Sequence, residues 1–317
     1  LEIGTALAAH LVGFSRLGGE MKKHLWKIIG LGMFVFLSIS PVTFAVEYDL
    51  TTNLISRTDP YQPNGEIYNI IFTQINPQPT GTGKIDPFVQ IGQPGGSLLV
   101  EHAYNTTVFK TLDNGSSSNW NHQLLLSQVP TVTVNGEVYR QFFLDVNEEG
   151  NTPDRYLSLD EIQVYLSSTP NQSTTDVSTL GKLIYGLDGE GTTKSVRDDY
   201  IKLDYKLNED PGGGGSGQGD MVMLIPDALF KCNGETIKGS KDCYVYLYSK
   251  FGEQANADNA NGLGQSDGFE EWYVLSAGTS NGGTAGGGGP VPEPQTMVLL
   301  GAGLICITRM MKRSVQS

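Results

Sequence analysis

Cysteine and histidine are scarce in this chain, at three and four residues in 317. Between Val46 and Pro290 only Cys232, Cys243, His102 and His122 occur. Two thiols without a neighbouring histidine do not supply the four ligands of a structural zinc site. Two histidines and no G-x-S-x-G segment leave nucleophilic catalysis little to build on, since a Ser-His-Asp set would have to assemble from distant loops. Positive charge is also short. The Val46 to Pro290 stretch carries 14 Lys or Arg against 31 Asp or Glu, a balance of -17, whereas the whole chain stands at -13. A body this acidic argues against nucleic acid and anionic lipid as partners, because long-range repulsion opposes both, and it is compatible with divalent cations. Finally, no long stretch of helical period occurs in it.

What is present is short β-strand. From Asp199 to Leu207, Ile201, Leu203, Tyr205 and Leu207 alternate with Lys202, Asp204 and Lys206, the pattern of a half-buried antiparallel strand. Thr131 to Val134, Asn135-Gly136 and Glu137 to Tyr139 spell a hairpin whose Asn-Gly pair suits the positive φ of a type I′ turn. Further strands are predicted at Ile67–Ile75, Ser97–His102, Thr106–Leu112, Arg140–Val146, Leu159–Leu166, Lys182–Leu187, Asp220–Ile225, Tyr244–Phe251 and Phe269–Leu275. About a dozen short strands separated by Gly, Pro, Asn and Asp predict an all-β fold, an antiparallel β-sandwich with a jelly roll as one form it could take. Gly-rich segments at Pro211–Gly219 and Gly278–Gly289 read as a surface loop and a spacer. The first formally satisfies G-x-G-x-x-G, but it leads into the strand-like Met221–Ile225 instead of opening a helix, so it carries no nucleotide signal.

Both ends have the composition of targeting segments. Met21-Lys22-Lys23-His24, the apolar run Ile28–Ile39, Pro41 and Thr43-Phe44-Ala45 have the three parts of a secretory signal peptide, with cleavage expected after Ala45. Residues Leu1 to Glu20 lie upstream of that natural-looking start and read as an over-extended gene prediction. At the other end, Val291-Pro292-Glu293-Pro294 precedes an apolar run and then Arg309, Lys312 and Arg313. Counted from Gln295 to Thr308 the run has 14 residues, about 21 Å of helix against a hydrocarbon core of about 30 Å, which makes it a marginal permanent anchor. The basic cluster behind it is a cytoplasmic stop signal, so everything before it lies across the membrane. The two prolines hold the backbone around Glu293 extended, as a protease or transpeptidase requires.

This tripartite tail resembles the PEP-CTERM sorting domain of Gram-negative bacteria, with Pro292-Glu293-Pro294 matching the name-giving motif over about the last 27 residues. The resemblance implies recognition by the membrane enzyme exosortase, which is associated with loci for exported polysaccharide. The expected organisation is therefore a signal peptide at 21–45, a β-sandwich body at 46–277, a spacer at 278–290 and a sorting tail at 291–317 with a short transmembrane helix. Signal peptidase and exosortase are the expected partners during export. The inner membrane holds the precursor, and the cell surface or extracellular matrix receives the product.

Within the body, the pair Cys232 and Cys243 flanks the turn-prone Asn233-Gly234 and predicts a disulfide suited to an exported protein. Asp145-Val146-Asn147-Glu148-Glu149-Gly150, followed by Glu161, offers hard oxygens at alternate positions and a Gly for a sharp turn. Asp145, Asn147, Glu149 and Glu161 are accordingly the candidate calcium ligands, although Tyr156 stands where an EF-hand would place its bidentate Glu. A second acidic loop, Asp258 to Asp267, lacks regular ligand spacing. Tyr244, Tyr246 and Tyr248 form a same-face stripe that stacks on sugar rings if exposed and packs on a core if buried. The expected role is structural or adhesive in a polysaccharide matrix and not enzymatic. A secreted carbohydrate-active enzyme, with two carboxylates across a cleft, and a calcium-dependent glycan-binding module are the competing expectations.

Overall fold

The computed structural model of the chain describes residues 45–275 apart from 53–54, 75–84, 93–99, 110, 116, 149, 193–196, 209–218, 233–234, 237–242 and 257–258. The strands are β1 (Glu47–Asp49), β2 (Ser56–Tyr61), β3 (Tyr68–Gln74), β4 (Ile85–Ile91), β5 (Glu101–Tyr104), β6 (Leu124–Leu125), β7 (Thr131–Val134) and β8 (Glu137–Asp145). They continue as β9 (Tyr156–Ser167), β10 (Lys182–Gly186), β11 (Tyr200–Asp204), β12 (Met221–Pro226), β13 (Lys231–Cys232), β14 (Glu235–Thr236), β15 (Tyr244–Phe251) and β16 (Glu270–Leu275). The fold is all-β. Among the described residues the only helical segments are single 3-10 turns, and no helix is long and apolar enough to cross a membrane.

The first sheet has the order β1-β11-β9-β15-β5, with β10 also on β9 and β6 also on β15. The second has the order β2-β3-β12-β8-β16-β4, with β7 also on β8. All pairs are antiparallel except β1 with β11, which sets Glu47 beside Tyr200. The two inner faces share one core. Leu157, Val164, Val245 and Leu247 come to it from the first sheet, and Phe72, Phe142, Met223 and Trp272 from the second. A direct polar tie crosses the same space, from Trp272 Nε1 to Ser249 Oγ at 2.9 Å.

Alternation explains most of the pattern, and its interruptions are informative. Along β9, Leu157 and Leu159 face the core, as do Ile162, Val164 and Leu166, so the parity changes at Asp160. There Lys250 of β15 opposes Glu161 while Phe251 opposes Leu159, which is a β-bulge with Asp160 as the extra residue. Strand β12 is buried throughout. Met221, Met223 and Ile225 face the core, while Val222 and Leu224 form a smaller outer cluster with Val134 and Tyr139.

The Asn135-Gly136 hairpin forms as the sequence predicts, with φ of 52° and 87° and Val134 paired to Glu137. The predicted strand Thr106–Leu112 does not form. Its polar groups bond locally instead, because Asn114 Oδ1 accepts from Thr111 N and Leu112 N at 3.0 and 3.3 Å, and Thr106 Oγ1 accepts from Val108 N at 3.2 Å. The predicted strand Asp199–Leu207 is shorter, ending at Asp204 before a 3-10 turn over Tyr205–Asn208. Asp204 Oδ1 accepts from Lys206 N at 3.1 Å, which favours that turn over an extended chain. Cys232 and Cys243 are joined as a disulfide with Cα atoms 6.5 Å apart.

Candidate functional site

Three segments that are distant in sequence meet at one end of the sandwich. The chain leaving β8 contributes Asn147 and Glu148, the loop before β16 contributes Gln265 to Phe269, and Glu101 and Glu270 open β5 and β16. Asn147 Nδ2 donates to Phe269 O at 2.8 Å. Glu148 Oε2 accepts from Ser266 N at 2.8 Å and also from Ser266 Oγ. Gly92 closes the space from β4: its φ is +126°, and a Cβ there would stand 2.7 Å from Glu101 Oε2. Only glycine fits so close an approach.

Burial dominates the electrostatics. Glu101 and Glu270 are fully buried, and Glu148 is nearly so. Burial pushes the Glu148 carboxyl up to about 8, the Ser266 donors opposing the rise and the Glu101 charge adding to it. Glu270 is raised well above the ordinary value, first by burial and then by Glu148, Glu101 and Asp145. Glu148 Oε1 and both Glu270 oxygens lack a hydrogen-bond partner among the described residues. Like-charged carboxyls in a low-dielectric space favour shared or retained protons, because each ionisation makes the next harder. The chemistry that these buried carboxyls offer is thus retention of protons near neutral pH. Among the described residues no group of three or more His, Cys, Asp or Glu is arranged to hold a metal ion.

Of the calcium candidates read from the sequence, Asp145 and Asn147 stay in one segment and Glu161 lies on the other sheet. Asp145 ends β8 opposite Glu271, and Asn147 lies in the loop just described. Glu149 lies outside the described residues. Glu161 is elsewhere: with Gln163 and Tyr165 it points away from the core, and its Oε1 accepts from Lys250 Nζ at 3.0 Å. The structure therefore joins the Asp145 loop to the second acidic loop rather than to Glu161. Sequence reading missed Glu101, Glu148 and Glu270 as a group. Glu270 and Glu271 do face opposite ways, as strand neighbours must: Glu271 accepts from Gln90 Nε2 at 2.7 Å while Glu270 is enclosed.

Other candidate groups have structural partners. Tyr246 and Tyr248, with Tyr104, Tyr165 and Leu180, form a cluster on the outer face of the first sheet. Tyr246 is fully buried, and its hydroxyl donates to Thr169 O at 2.7 Å. Tyr104 donates to Thr174 O at 2.8 Å. Within the stripe Tyr246 and Tyr248 are buried and offer no sugar-stacking face, whereas Tyr244 is half-buried. His102 Nδ1 lies 2.9 Å from Tyr248 Oη, and His122 Nε2 lies 3.4 Å from Asp86, which raises its pKa.

A model of the PEP-CTERM protein-sorting motif matches residues 290–313. That span contains Val291, Pro292, Glu293, Pro294, Arg309, Lys312 and Arg313, all outside the described residues. The chain is therefore an exported protein whose tail targets it to an exosortase. No curated protein matches the chain. The segments read from the sequence as a signal peptide (apart from Ala45), a short terminal helix and a Gly278–Gly289 spacer also lie outside the described residues.

Proposed function

We propose that the mature protein is a non-catalytic structural or adhesive component of an exported polysaccharide matrix, released to the cell surface or matrix once exosortase has processed its tail. The sorting motif at 290–313 is the observation that carries this reading. The strongly acidic all-β body supports it: a two-sheet sandwich with a large shared core offers durability and a charged, soluble exterior. Buried tyrosine rings and histidines engaged by Tyr248 and Asp86 also support a scaffold role.

The test is Glu293→Ala in the producing cell. Glu293 is clamped between prolines, so it contributes to recognition far more than to anchoring. The variant should accumulate as an unprocessed inner-membrane precursor, seen as an increased intact mass and a shifted membrane fraction. Unchanged mass and location would reduce the tail to a plain anchor.

The convergence of the Asp145–Glu148 and Gln265–Glu270 segments favours one second reading, a calcium-dependent glycan-binding module. Calcium would then raise the melting temperature through selective affinity for the folded state, and Glu148→Gln would abolish the shift. Melting curves that coincide in calcium and in chelator at low ionic strength would reject that reading.

A further inference from the structure

The first described residues are held by a buried acid. Val46 N donates to Asp199 Oδ1 at 2.8 Å, and Val46 O accepts from Tyr200 N at 3.1 Å, so the chain joins the β1–β11 pairing at its first step. Asp199 is 0 % exposed. Its Oδ2 forms an ion pair with Arg197 Nη2 at 2.9 Å. The same guanidinium nitrogen is 3.2 Å from Oδ1 of Asp59, a 1 % exposed carboxylate that also accepts from the Tyr48 and Tyr185 hydroxyls at 3.0 Å each. Asp188 stands behind, its Oδ1 accepting from Asp199 N at 2.6 Å.

One cation here contacts two buried carboxylates. An ion cluster out of water is stable only when its charges balance and its remaining lone pairs are bonded. The nitrogen bonded to Asp199 is the one that becomes charged on export. Hydrolysis of the Ala45–Val46 peptide bond by a signal peptidase breaks the C–N bond, adds the hydroxyl of water to the Ala45 carbonyl carbon and transfers the hydrogen to Val46 N. Near neutral pH the new amine carries a further proton from solvent. We infer that the α-ammonium of Val46 pairs with Asp199, so that leader removal supplies the second cation of this cluster and fastens β1 to β11. In the precursor the same nitrogen is a neutral amide that gives Asp199 one hydrogen bond and no charge. Arg197 with Asp59 and the ammonium with Asp199 then give two cations for two carboxylates. The inference rests on cleavage after Ala45 and not on the role in a matrix.

The test uses the exported protein recovered from cells. N-terminal sequencing should read Val46-Glu47-Tyr48. Selective acetylation of the α-amine near pH 6.5 should lower the melting temperature by about 2–4 °C or more, the scale of a single lost contact in a domain of this size. Hydrogen exchange at the Tyr200 amide should quicken as well. A variant with one alanine inserted after Ala45 displaces the ammonium while keeping its charge, and it should melt like the acetylated protein. In Asp199→Asn, acetylation should have no effect; should that variant fail to fold, the insertion and acetylation arms decide the matter. A mature N-terminus elsewhere, acetylated and inserted forms that melt with the untreated protein, or an acetylation penalty that survives Asp199→Asn would each overturn the inference. None of these outcomes depends on Glu293, so failure here is distinguishable from failure of the sorting and matrix reading.

Discussion

Trp272 is the largest fully buried side chain among the described residues, and its indole nitrogen spans the two sheets to reach Ser249 Oγ. Replacing it by Phe keeps most of the ring volume but leaves the Ser249 hydroxyl facing an apolar edge, which costs about 1–3 kcal/mol for an orphaned buried group. Trp272→Ala would add a cavity and cost about 3–5 kcal/mol. Chemical unfolding should therefore rank wild type, Trp272→Phe and Trp272→Ala in that order. A second residue sets a pH dependence. Burial pushes Asp188 up to about 8, its bond from the Asp199 amide opposing the rise and the charges of Glu190, Asp199 and Glu161 adding to it. The folded state thus holds a proton that the unfolded chain releases near the ordinary value of 3.8. Its stabilising contribution is complete below about pH 4 and is lost as pH rises through about 8. Stability should fall from pH 5 to pH 8, and Asp188→Asn, which keeps an acceptor for the Asp199 amide, should flatten that slope in denaturant titrations.

At the scale of elements, the β7–β8 hairpin is the piece most completely written in the sequence. Asn135-Gly136 occupies the two positive-φ positions, and a Cβ at Gly136 would meet nothing within 4 Å. Gly136→Ala therefore isolates the backbone cost of a left-handed conformation, about 1 kcal/mol, without a steric term. A drop in melting temperature of about 2–4 °C is expected, with the fold and the β8 amide protection away from the turn unchanged. Strand β15 shows the opposite case. Tyr244–Phe251 was legible as a strand to the residue, yet both faces were hydrophobic enough to be inward. The structure sets Val245 and Leu247 on the shared core and Tyr246 and Tyr248 on an outer cluster covered by residues 169–180. Strand periodicity says which residues share a face. It cannot say what a loop returning from elsewhere will cover.

At the scale of the whole molecule, the chain divides its information unevenly between its ends and its body. The sorting motif is legible because it is one contiguous run, so residue order alone carries Pro292-Glu293-Pro294, the short apolar run and the basic close. The all-β class, the Asn135-Gly136 turn and the pairing of Cys232 with Cys243 were legible for a similar reason, since each depends on neighbours within about a dozen residues. Thr106–Leu112 misled because β-forming residue types were present while Asn114 and Thr106 captured the local amides. Glu101, Glu148 and Glu270 come from three separate stretches, and no local period marks them as neighbours. Their meeting, like that of Val46 with Asp199, follows from strand order in the two sheets. That order is fixed by which apolar faces pack across the sandwich, a many-body energy that no short window of sequence contains, and so only the tertiary structure decided it.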